Sequence, residues 1–185
     1  MALDHIQPKP ISDHKQSTVY TCPTPPESTT PGLLEDLDDL DPLHSPKSNG
    51  SSVPWPGSTF IISSVSTGHA IALRGGQVVL APPGGRESIH WECVETKGWL
   101  GFRNPVSGKF LGHDGRSGKL RCSGRAHEGW EWFCVRQTPE GGYVLLMTHW
   151  EKLWPVGTMM EGGEKVLAKV ENAVSDGIVW KFIKV

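Results

Sequence analysis

The chain has 185 residues, 18 basic and 20 acidic side chains, a net charge of −2, and four cysteines. That length suits one domain with a tail; the balanced charge gives no reason to expect nucleic acid or anionic lipid, and four cysteines are too few for a disulfide scaffold. No apolar run reaches the roughly 20 residues of a membrane-spanning helix, and the proline-broken N-terminal stretch has no export signal, so a cytoplasmic or nuclear protein is expected, not a secreted one.

Residues 1–56 hold ten of the fifteen prolines, twelve serines or threonines, and eight acidic against three basic residues. Such a segment cannot bury enough apolar surface to offset the loss of backbone entropy, and it reads as a disordered tail. Within it, Leu33, Leu37 and Leu40 recur at offsets of four and three among Glu35, Asp36, Asp38, Asp39 and Asp41. The segment Leu33–Asp41 therefore offers one apolar stripe for docking into a partner's groove. Thr24-Pro25, Thr30-Pro31 and Ser45-Pro46 flank it as candidate phosphorylation sites for proline-directed kinases.

From residue 57 onward the composition changes, with seven of the eight tryptophans and all five phenylalanines. Aligning Gly68, Gly108 and Glu151 brings Phe60, Leu100 and Tyr143 into register, then Ile62, Phe102 and Leu145, then Ile71, Leu111 and Trp154. Each copy closes on a tryptophan, Trp91, Trp130 and Trp180, at spacings of 39 and 50 residues. The predicted repeats are about 57–97, 98–138 and 139–185, with Trp91, Trp130 and Trp180 as structural core. Alternating apolar stretches such as Trp99–Arg103, punctuated by Arg74-Gly75-Gly76, Asp114-Gly115 and Glu161-Gly162-Gly163, predict four short strands per copy. An isolated four-stranded unit cannot bury its apolar face, whereas three around an axis close a barrel.

This pattern resembles the β-trefoil, an all-β fold. The Gly108-Lys109-Phe110-Leu111 step and the closing Trp130-Glu131-Trp132-Phe133 are similar to the fascin, or actin-crosslinking, branch. The resemblance covers residues 57–185 and implies a cytoskeletal interaction module. Ricin-type lectin repeats instead carry a glutamine two residues before the closing tryptophan, where this chain has Ile89, Glu128 and Ile178.

The chemistry-bearing residues show little convergence. Cys93, Cys122 and Cys134 form no Cys-x-x-Cys pair, so no metal is expected; Cys93 shares its repeat position with Trp132 and Phe182 and reads as a small buried hydrophobe. No serine occupies a nucleophile-elbow turn and no glycine-rich loop leads from a strand into a helix, so neither catalysis nor a cofactor is expected. His149 and Trp150 at a third-repeat hairpin tip form a candidate aromatic rim, while Trp154 continues the buried Ile71 and Leu111 position.

The second repeat carries seven basic and three acidic residues. Lys109, Arg116, Lys119, Arg121 and Arg125 form a candidate basic patch for an acidic protein surface. The leading expectation is a monomeric, non-enzymatic binding module whose partner is a protein, with actin filaments the candidate the resemblance implies. The alternative is a carbohydrate-binding lectin, which needs an aromatic platform beside a hydrogen-bonding side chain; on the aligned sequence the three copies do not share such a pair.

Overall fold

The alternating stretches become strands because every second side chain can enter one core. The computed structural model describes residues 51–171 and 177–185. The first repeat contains β1 (Thr59–Ser64), β2 (Ala70–Arg74), β3 (Gln77–Ala81) and β4 (His90–Thr96). The second contains β5 (Trp99–Arg103), β6 (Phe110–His113), β7 (Leu120–Gly124) and β8 (Phe133–Gln137), with a 3-10 turn at Gly129–Glu131 before β8. The third contains β9 (Tyr143–His149), β10 (Lys152–Glu161), β11 (Glu164–Lys169) and β12 (Val179–Lys184). Between β2 and β3, Gly75 and Gly76 both take positive φ, 54° and 84°, as a two-residue hairpin of this twist requires.

Six strands pair antiparallel in a ring: β1 with β4, β4 with β5, β5 with β8, β8 with β9, β9 with β12, and β12 with β1. That ring is a closed barrel. The hairpins β2–β3, β6–β7 and β10–β11 form the second layer, completing a β-trefoil. Its core is aromatic: Phe102 packs on Phe133 and Phe182 at 5.5 and 5.8 Å between ring centroids, and Phe60 and Tyr143 meet Phe182 at 6.1 and 5.7 Å. No helix among the described residues is long and apolar enough to cross a membrane.

Strand pairing corrects the repeat register at two places. Phe60 faces Trp91 and Tyr143 faces Trp180, but Leu100 faces Phe133. Phe133 is thus the closing residue of the second repeat, and Trp130 is not a core residue: it lies in the 3-10 turn and is 52% exposed. Trp91 and Trp180 are fully buried, and their indole N–H groups donate to the carbonyls of Ile71 and Val156 at 2.9 and 3.3 Å. Val156, not Trp154, therefore matches Ile71.

Cys93 faces Phe102, as Phe182 faces Ile62 and Val135 faces Leu145, so its second-repeat counterpart is Val135 and not Trp132. Burial pushes the Cys93 thiol up to about 12, with Glu95 adding to the shift. Cys93 is accordingly expected to escape alkylation by iodoacetamide in the native protein at pH 8 and to react after denaturation, read by peptide mass spectrometry.

The packed chain also begins before residue 57. The Ser52 N–H donates to the Phe182 carbonyl, Pro54 is buried, and Trp55 meets Phe60 edge-on at 6.2 Å beneath the Lys184 ammonium. These contacts add residues 51–56 to the domain. The segment Leu33–Asp41, the three Ser/Thr-Pro dipeptides and Cys22 lie outside the described residues.

Candidate functional site

The displacement of Trp130 from the core builds a surface feature on the second repeat. Trp130 and Glu131 stand in the turn leading into β8, beside Arg121 of β7. Arg121 is the organiser. Its guanidinium donates to Glu131 Oε1 at 2.9 Å, to the His113 carbonyl at 3.0 Å and to Ser123 Oγ at 2.7 Å, and it lies 5.6 Å from the Trp130 ring centroid.

Glu131 is a buried carboxylate in contact with a half-buried cation. Burial raises its pKa, and this outweighs the opposing pull of Arg121. Gly124 is what lets the carboxylate in, because a Cβ there would stand 2.7 Å from Glu131 Oε1. Gly115 plays the same part for Trp130, whose ring would be 3.0 Å from a Cβ at that position. Arg121, Gly124, Arg125, Glu128, Trp130 and Glu131 line an open-mouthed cavity of about 490 Å³.

Aromatic rings continue from this cavity to the third repeat. Trp130 lies 6.0 Å from buried His113, His113 lies 5.0 Å from His149, and His149 lies 5.6 Å from Trp150, centroid to centroid. His113 is fully buried, with Nε2 as its donor 2.9 Å from the Thr148 carbonyl and Nδ1 3.1 Å from the Asp114 carbonyl, so this ring is part of the scaffold. The Lys169 ammonium donates to His149 Nδ1 and lies 5.4 Å from the Trp154 ring. Burial first, then Lys169 and His113, lower the His149 pKa. Asp114 is held below its ordinary range by the Ser117 N–H and hydroxyl and by the Arg116 N–H.

Trp150 is 89% exposed and sits at the first central position of the two-residue turn between His149 and Lys152. Its φ is +56°. A bulky side chain in the left-handed region costs about 1–3 kcal/mol, and such strain concentrates at functional positions.

The expected site residues are thus only partly gathered. Arg121 and Arg125 share the cavity with Trp130; His149 lies one ring away from Trp130, through His113, and Trp150 two rings away. Arg116 is exposed in the turn after β6, and Lys119 in the same turn pairs with Glu161 at 2.8 Å across to the third repeat. Lys109 stands before β6, at the end opposite His113. Sequence reasoning missed Glu131 and the exposure of Trp130. With Phe133 as the closing residue, the position two before it reads Ile89, Glu131 and Ile178, and the lone polar residue was the available signal.

No protein-family model matches the sequence, and no curated protein matches it in sequence. Solved structures do match the fold. The designed threefold-symmetric protein ThreeFoil is 13% identical with a TM-score of 0.56, over 69% of this chain and 99% of its own. The ricin B-like lectin of Macrolepiota procera, solved in complex with lactose, is 16% identical with a TM-score of 0.54, over 72% of this chain and 100% of its own. An exo-β-1,3-galactanase from Clostridium thermocellum is 17% identical with a TM-score of 0.59, over 72% of this chain but only 31% of the enzyme.

Proposed function

We propose that this β-trefoil is a non-enzymatic carbohydrate-binding module with a galactose-directed site on its second repeat. The observation that carries the reading is Trp130, moved out of the core onto the surface above the Arg121–Glu131 pair. An exposed indole face offers a stacking surface for a pyranose ring, and galactose presents a continuous C–H face because its 4-hydroxyl is axial. Exposed Glu128 and Arg125, which line the same cavity, supply an acceptor and a donor for sugar hydroxyls, while the buried Arg121–Glu131 pair holds the platform in place. The copies do not share this pair: Ile89 and Ile178 stand where Glu131 does, so one site is expected and not three. The structural neighbours support the reading, since they include a lectin solved with lactose and a galactan-cleaving enzyme.

The fascin-like, actin-directed reading through Lys109, Arg116, Lys119, Arg121 and Arg125 has weaker support. Two of those cations are engaged, Lys119 by Glu161 and Arg121 by Glu131. A glycan array probed with the full chain, run beside sedimentation with actin filaments at low and high salt, separates the two. Retention on galactose-terminated glycans without pelleting is expected. Salt-sensitive pelleting with an empty array would overturn the carbohydrate reading in favour of the basic patch.

A further inference from the structure

We infer that the site takes a chain of linked sugars spanning Trp130 and Trp150, not a single terminal residue. This rests on the carbohydrate reading and extends it to the third repeat. Two of the largest apolar side chains on the surface, 52% and 89% exposed, are joined ring to ring through His113 and His149. One exposed tryptophan is common on protein surfaces; these two are the exposed ends of a ring-packed line whose middle, His113, is buried, so they stand as two separate platforms at a fixed spacing.

The track is held rigidly. Buried His113 donates to the Thr148 carbonyl, Lys169 donates to His149, and the Thr148 hydroxyl donates to the Gly129 carbonyl, tying the end of β9 to the turn that carries Trp130. Trp150 has no structural reason to be large. Almost none of it is buried, and the left-handed backbone it occupies suits glycine or asparagine better. A residue that is exposed, strained and aromatic at the far end of a track is placed for a ligand longer than the cavity beside Trp130.

The test is calorimetric titration of the full chain with galactose, lactose and β-1,3-linked galacto-oligosaccharides of increasing length. Affinity is expected to rise about tenfold once the chain reaches a second stacking platform, and then to level off. Trp150→Gly should remove that gain, leave galactose affinity unchanged, and raise the melting temperature. Trp150→Asn should behave the same way, which guards against a glycine-specific effect. Equal affinity for galactose and the longer chains, or a length gain that survives Trp150→Gly, would overturn the extended track while leaving the Trp130 site standing. Absence of binding to every one of these sugars would overturn the carbohydrate reading itself, and the extended track with it.

Discussion

Trp130→Ala is expected to weaken binding of lactose about thirtyfold or more while changing the melting temperature little. Truncation of an aromatic anchor at the centre of a site costs about 2 kcal/mol or more, which corresponds to that factor. The fold should tolerate the change because Trp130 is half exposed and Phe133, not Trp130, faces Leu100 in the barrel. The contrast is Trp91→Phe, which deletes the indole donor to the Ile71 carbonyl and leaves a buried acceptor unpaired, at a cost of about 1–3 kcal/mol. That variant should melt lower and bind as well as the parent. Calorimetric titration and thermal melts on both proteins read the two effects separately. A large drop in stability for Trp130→Ala would return Trp130 to the core and remove the platform.

Arg121→Ala is expected to destabilise the domain by about 3 kcal/mol, because it leaves Glu131 buried without its cation. At the scale of this domain that lowers the melting temperature by roughly 10 °C. The pH dependence identifies the cause. Burial raises the Glu131 pKa above its ordinary 4.5, so the folded state holds this proton to higher pH than the unfolded chain does. The stabilisation from a protonated Glu131 is full below the unfolded value and is lost as pH rises through the folded one. Without Arg121 the folded pKa moves further up and that window widens. The defect of Arg121→Ala should therefore be small near pH 4 and grow toward neutrality. Adding Glu131→Gln should recover much of the loss at pH 7, since the amide carries no charge to leave unpaired. Denaturant melts across pH check both statements; a defect that does not vary with pH, and that the added Glu131→Gln substitution does not relieve, would assign the loss to packing alone.

The threefold repeat and its closure into a barrel were legible because Phe60, Leu100 and Tyr143 and their neighbours recur at matching offsets. The two register errors have separate physical origins. In Trp130-Glu131-Trp132-Phe133, three aromatics fall within four residues, and periodicity cannot say which one meets Leu100; only the 3-10 turn before β8 does. In the third repeat, reading Trp154 for Val156 is a slip of two, which keeps the same face of the strand and so leaves the apolar pattern intact. Charge counting found an excess of cations in the second repeat, but Lys119 is answered from the third repeat by Glu161, and no single-repeat tally records that. The site was the least legible part. Arg121 and Trp130 meet through the 3-10 turn of the second repeat, and Trp150 stands two rings away on the third. His149 and Trp150 were visible as a hairpin tip and His113 as a rim histidine, but that His113 is buried and packs between Trp130 and His149 follows only from the fold.

The most direct measurement is a lactose titration of isotopically labelled full-length protein, followed through the tryptophan indole N–H resonances. A saturable shift of the Trp130 resonance, with those of buried Trp91 and Trp180 unmoved, is the result this account predicts. Indole resonances that stay fixed with lactose, or a response that spares Trp130, would contradict a sugar site on the second repeat.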